Sequence, residues 1–245
     1  QNEEKKAELL IVLDIVGAVK AMGGLGLVVG GYARDEALQR FGYDVEPKDL
    51  DIEVYGLDSE RLKSILRGYG EIDVVGESFG VIKLKGLDIS IPRRDSKTGR
   101  GHKGFAIEGD PEMTIKEAAR RRDFTINSMA LDPLTGEIID PHGGLDDIQN
   151  KVLRATDKKF FGDDPLRVLR AMQFAGRFGF NIDPETVEIC RRLDLKELPV
   201  ERIGEEWTKL LLKSPKPSIG LEVAQELDIF KRLHPELNDL MGVSQ

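Results

Sequence analysis

Two aspartates one residue apart, Asp49 and Asp51 in Lys48-Asp49-Leu50-Asp51-Ile52-Glu53-Val54-Tyr55, are the residues best suited to chemistry in this chain. Leu50, Ile52 and Val54 alternate with Asp49, Asp51 and Glu53, the period-two pattern of a half-buried strand, so both aspartates are expected on one face. Neighbouring carboxylates repel unless a cation lies between them. Mg²⁺ favours one or two such oxygens together with phosphate and water, which is the donor set of phosphoryl transfer. An EF-hand loop is a poor alternative, because Val54 stands where that loop needs its glycine. The solvated face of an antiparallel strand is a better one, and the two aspartates by themselves do not exclude it.

The turn before them adds weight. In Leu27-Val28-Val29-Gly30-Gly31-Tyr32-Ala33-Arg34-Asp35 an apolar strand runs into two glycines and then a helical stretch carrying Ala37 and Leu38. Backbone N–H groups at such a helix start attract anions, and the glycines let phosphate come close. Arg34 is expected to add a forked donor for phosphate oxygens. An ordinary tight turn is the plainer reading. No GxxxxGK[ST] is present, and Gly24-x-Gly26 has Val29 where the dinucleotide fingerprint needs its third glycine.

The elements that must position these residues fall into two parts. With 245 residues, 40% of them hydrophobic, the chain is long enough for two compact units. The first reads as mixed α/β: a helix near Glu3 to Met22, strands at Leu25 to Val29 and Leu50 to Tyr55, and a helix at Ser59 to Arg67. Strands at Ile72 to Val75, Val81 to Lys85 and Leu87 to Ile91 follow, with Gly80 and Gly86 marking tight hairpins. Asp95 to Asp110 is polar, glycine-rich and longer than a usual connection, which suggests a functional loop. A helix at Ile115 to Arg122 comes next. Beyond a boundary near Asp140 to Lys151 the pattern predicts helices alone, the strongest starting at Asp163-Asp164-Pro165 with an aspartate cap and an early proline. The others lie near Pro184 to Leu193, Val200 to Leu212 and Ile219 to Leu227.

Composition narrows the classes. No apolar run is long enough to span a bilayer and no leader pattern opens the sequence, so a soluble cytoplasmic protein is expected. The lone Cys190 reads as a small buried hydrophobe, and His102, His142 and His234 lack zinc-ligand spacing. A net charge of −8 is unlike a general nucleic-acid coating protein. Two cation-rich stretches, Arg93 to Arg122 and Arg167 to Arg202, are compatible with either a local RNA surface or solvated faces.

Five segments in order resemble the bacterial-type (class II) tRNA nucleotidyltransferase and poly(A) polymerase family. These are LVVGGYARD with KDLDIEVYG, RRRDFTINSMA (120–130), IDPHGGLDDIQNKVLRAT (from Ile139), GDDPLRVLRAMQFAGRFGF, and PVERIGEEWTKLL. The resemblance implies an α+β fold, with a polymerase-β-like nucleotidyltransferase head over residues 1–145 and a helical neck and partial body over 146–245. It also implies a template-independent enzyme adding CMP and AMP from CTP and ATP to a tRNA 3′ end. Asp49 and Asp51 would then hold two Mg²⁺ ions, with Asp88 a weaker third carboxylate. Gly30, Gly31 and Arg34 would cradle the triphosphate. Arg122 would reach phosphate, while Asp123 and Asn127 would recognise the sugar. Asp164 and Arg167, three apart on one helix face, would mimic a base edge and select CTP or ATP. Asp163 departs from the family's usual glutamate. Glu201, Arg202 and Glu205 read as structural, Gly143-Gly144 as a hinge, and the family's body and tail helices extend past where Gln245 stands.

CC-only addition, A-only addition and poly(A) synthesis share these motifs. A non-catalytic RNA-binding module is the alternative of a different class.

Overall fold

The computed structural model describes residues 2–75, 80–93 and 109–243. Of the loop expected at Asp95 to Asp110, all but Gly109 and Asp110 lies outside the described residues. The chain divides into two compact units, one of residues 1–119 and 127–142, the other of residues 120–126 and 143–245.

In the first unit, α1 (Asn2–Ala21) has Glu3 and Glu4 in its first turn and Lys20 in its last, both favourable to the helix dipole. Its Val12, Ile15, Val16 and Val19 recur at helical spacing and are fully buried. β1 (Leu25–Val29), α2 (Gly31–Arg40), β2 (Asp51–Tyr55) and α3 (Ser59–Arg67) follow. Asp58 caps α3 by accepting from Arg61 N at 2.8 Å. Then come β3 (Asp73–Val75), β4 (Val81–Leu84), β5 (Leu87–Ser90), α4 (Ile115–Ala119), β6 (Ala130–Leu131) and β7 (Ile138–Ile139).

The strands form one mixed sheet in the order β3-β4-β5-β2-β1-β6-β7, antiparallel throughout except for the parallel pair β2 and β5. The turn joining β4 to β5 is Lys85-Gly86, with φ of 50° and 85°, the left-handed pair that a two-residue hairpin requires. One face of the sheet carries Val28, Ile52, Val54, Ile82, Leu84 and Ile89 into the main core with α1 and α3. On the other, Leu27, Val29, Tyr55 and Ala130 form a smaller cluster. The β6/β7 hairpin, for which the alternation gives no strands, extends the sheet beside β1. The helix expected to reach Arg122 stops at Ala119.

The second unit holds α5 (Gly144–Asn150), β8 (Val152–Leu153), α6 (Arg167–Phe178), β9 (Asn181–Ile182), α7 (Pro184–Arg192), α8 (Val200–Thr208), α9 (Pro217–Glu226), α10 (Ile229–Leu233) and α11 (Pro235–Asn238). It is not helical throughout, because β8 and β9 pair in parallel and Phe124 bridges Ala155. Each of these strands is only two residues long, too short for alternation to register. α6 begins at Arg167, four residues later than the aspartate cap predicted. Asp164 is extended (φ −130°, ψ 103°), and its carboxylate accepts from Leu166 N at 3.1 Å in a local turn. The helix expected to run on to Leu212 passes at Lys209–Lys213 into one π-helical turn. No helix among the described residues is long and apolar enough to cross a membrane.

Candidate active site

Antiparallel pairing of β1 with β2 sets Val29 opposite Asp51, so the glycine turn that follows Val29 opens beside the carboxylate. Gly30 sits at φ 70°, ψ −138°, a conformation essentially closed to residues with a Cβ, and precedes α2 with no side chain capping the helix. No acidic residue occupies the first turn. The N–H groups of that turn, beginning at Gly31, thus have the arrangement that suits an anion.

Arg34 lies differently from the sequence expectation. Its guanidinium is buried, donating from Nε to Asp35 Oδ1 at 2.8 Å and from Nη1 to Asn127 Oδ1 at 2.9 Å. Two donors of its fork are therefore spent inside the protein, fixing Asn127 rather than standing clear for phosphate. The structure brings Arg34 and Asn127 together, and Asp35 is the member of this group that motif reading missed.

Asp49 lies just ahead of β2, not within it, yet the alternation holds: Asp49 and Asp51 are exposed while Leu50 and Ile52 are buried. Asp49 also lines a cleft of 740 Å³ with Tyr32, Lys48, Gly86 and Leu87. Parallel pairing puts Asp88 of β5 alongside Asp51. The Asp88 carboxylate is engaged by Lys83, Nζ to Oδ1 at 2.8 Å. That hydrogen bond, with the charges of Asp88, Asp51 and Asp73, raises the Lys83 ammonium above its ordinary value.

Among the described residues no group of three or more His, Cys, Asp or Glu side chains is gathered to hold a metal ion. Asp49 and Asp51 remain a suitable donor pair for Mg²⁺, which keeps several waters and takes one or two carboxylates beside substrate phosphates. The Lys83 ammonium lies against Asp88 on this same face of the sheet.

The other expected residues belong to the second unit. Asp123 is buried, with Arg170 Nε donating to Oδ2 at 2.7 Å and its own neighbour Phe124 N donating to Oδ1 at 2.7 Å. Arg122 beside it is half-buried. Asp164 and Arg167 take different partners: Arg202 Nη2 donates to Asp164 Oδ2 at 2.8 Å, while Arg167 donates to the carbonyls of Phe160 and Arg121, both at 2.6 Å. Burial pushes the Asp164 carboxyl up, but Arg202, the Leu166 N–H and the charge of Arg167 outweigh it and hold it below the ordinary carboxylate range. Burial lowers Arg167, whose long side chain runs beside Phe161. Each member of the expected base-reading pair is therefore aimed by a separate brace. Arg202 holds Asp164 and Arg170 holds Asp123 across 38 and 47 residues of sequence, and no motif spacing announces either contact.

Residues 27–154, more than half of the chain, match the family described as "Poly A polymerase head domain". The chain belongs to that family. Residues 179–241 match a second family, described as "Probable RNA and SrmB- binding site of polymerase A". A multifunctional CCA protein of Stenotrophomonas maltophilia is 37% identical over 227 residues, covering 89% of this chain and 53% of that protein. One from Psychromonas ingrahamii is 38% identical over 225 residues, covering 88% and 52%. The chain thus spans about half the length of these relatives. Among solved structures, the Bacillus stearothermophilus CCA-adding enzyme in complex with CTP superposes with a TM-score of 0.71 at 28% identity, over 87% of this chain and 51% of that one. A CCA-adding enzyme with ATP gives 0.70 at 27% identity, over 94% and 54%. The poly(A) polymerase head is the mixed sheet with flanking helices described above, as the α+β expectation had it.

Proposed function

We propose that the chain performs template-independent addition of CMP and AMP, from CTP and ATP, to the 3′ end of tRNA. The observation that carries this reading is the register Val29 to Asp51, which joins an anion-binding helix start to a carboxylate on the neighbouring strand. Similarity to CCA-adding enzymes bound to CTP and to ATP supports the substrates.

In this reading the N–H groups at the start of α2 take the triphosphate charge, while Arg34 keeps Asn127 turned for the sugar. Asp123, locked by Arg170, and Arg122 complete sugar and phosphate recognition. Arg167 donates and Asp164 accepts at the base edge, each held so that little ordering remains when nucleotide binds. Asp49 and Asp51 would hold Mg²⁺, with Asp88 in reserve, and the metal would supply polarisation of the α-phosphate and activation of the primer hydroxyl. The primer O3′ bonds to the α-phosphorus as the bond to the bridging oxygen breaks, and pyrophosphate leaves.

The test is extension of labelled tRNAs ending before CCA, after C and after CC, with CTP, ATP or both, beside Asp51→Asn. Ordered addition stopping at CCA, lost in D51N, is the expected result. Unlimited A tails from ATP alone would instead favour poly(A) synthesis, a second reading prompted by the head-domain family. RNA binding without metal-dependent CTP or ATP binding would overturn both in favour of a non-catalytic module.

A further inference from the structure

The sheet register aligns Asp73 of β3, Lys83 of β4, Asp88 of β5 and Asp51 of β2 in one row across four neighbouring strands. Ile82, Leu84, Leu87, Ile89 and Ile52 alternate with these residues and are buried, so the charged row occupies the opposite face of the sheet. One ammonium therefore stands among three carboxylates, closest to Asp88 at 2.8 Å. Both side chains of that pair are exposed, 49% and 42%, which makes the ion pair weak and easily exchanged.

Resting on the metal reading above, we propose that Lys83 is a positioning residue that competes with the divalent ion for Asp88. The ammonium keeps the carboxylate laid along the β4/β5 pair, and Asp88 can turn toward a metal at Asp51 only by giving up this partner. Lys83 thereby serves as a built-in counter-ion of the metal-free row and sets how tightly the row takes a divalent cation. A fixed positive charge this close also repels the incoming ion directly, so the two effects must be separated.

Mn²⁺ affinity, read from the loss of free-ion electron paramagnetic resonance signal, separates them in the whole chain and its Lys83→Met, Lys83→Arg, Asp88→Asn, Lys83→Met/Asp88→Asn and Asp51→Asn variants. K83M should bind Mn²⁺ about two- to fivefold tighter, the scale of one exposed ion pair that no longer has to be broken, while K83R stays near the parent. In the D88N background the same Lys83→Met change should alter affinity less than about twofold, because the coupling runs through Asp88. In EDTA, K83M should melt below the parent, and saturating Mn²⁺ should raise its Tm by more. Equal tightening with and without Asp88 would mean a general field effect and overturn the proposal, as would unchanged or weaker binding in K83M. Should D51N bind Mn²⁺ as the parent does, the metal reading itself fails and this inference with it. If D51N loses Mn²⁺ while K83M matches the parent, only the role of Lys83 falls.

Discussion

Arg202 on α8 reaches Asp164, a residue outside any helix, and bonds its carboxylate at 2.8 Å. The contact fixes the rotamer of a side chain whose backbone is extended and whose own helix starts three residues later. The acceptor of the proposed base-reading pair is thus built on a turn but held by a helix.

Arg202→Met should cost selection more than it costs the fold. The pair is partly exposed, so its loss is worth only about 0.5–1 kcal/mol of stability, whereas the ratio of CTP to ATP binding should fall toward unity. Titration calorimetry with each nucleotide, beside a melting curve, checks this. The pH dependence follows from the depressed Asp164 carboxyl. Its stabilisation is present above the unfolded pKa of about 3.9 and is lost as pH falls through the lower folded value. The Tm gap between parent and R202M should therefore be full at pH 7 and narrow at pH values below about 3.9. A gap that persists there would show that Arg202 acts through something other than the Asp164 charge.

Arg34→Met should be strongly destabilising, because it strands the buried Asp35 carboxylate without its cation. Breaking such a buried pair typically costs about 3–5 kcal/mol. Asp35→Leu added to Arg34→Met should recover part of the loss, which urea denaturation of the single and double variants measures. Equal stability of the two would remove Asp35 as the reason for the burial of Arg34.

Gly30→Ala places a Cβ at φ 70°, ψ −138°. A strain of about 1–3 kcal/mol is expected, with weaker binding of CTP and ATP alike, since the shared triphosphate and not the base is affected. Loss of affinity for one nucleotide alone would contradict the anion-site reading of this turn.

Cys190, fully buried, has its thiol pushed up to about 12 by burial, with Arg232 opposing the shift. It should resist a thiol reagent at pH 8 until the second unit unfolds. A raised folded pKa means that the thiol contributes stability below its unfolded value, lost as pH climbs from about 9 toward about 12. Rapid labelling of the native chain would refute the burial.

Sequence and structure agree where punctuation is strong. Gly23-Gly24 before β1, Asp58 before α3 and Lys85-Gly86 between β4 and β5 are local signals that pin boundaries to a residue or so. Asp49 and Asp51 also lie exposed, as alternation puts them, and Gly30 stands in the turn after β1. What alternation does not encode is the partner of a side chain. Arg34 turns inward because Asp35 and Asn127 wait there, and Asn127 is 93 positions away. Arg170 to Asp123, Arg202 to Asp164 and the Lys83 row depend likewise on pairings between distant elements. Lys83 alone reads as an exposed strand cation until the register sets Asp73 and Asp88 on either side of it.

The single parallel pairing of the sheet also orders events during folding. The β4/β5 hairpin closes over a two-residue turn, a process of about 1–10 μs, and carries Lys83 and Asp88 as a finished unit. Asp51 joins them only when β2 docks alongside β5 after a crossover through α3, β3 and β4, a contact of much longer range and correspondingly slower formation. Until that seam closes, the nascent chain carries Asp88 beside Lys83 and apart from Asp51. On the proposed metal reading, Asp88 would therefore come beside the Asp49 and Asp51 pair only at that late step, and a half-folded intermediate would present the two aspartates without it.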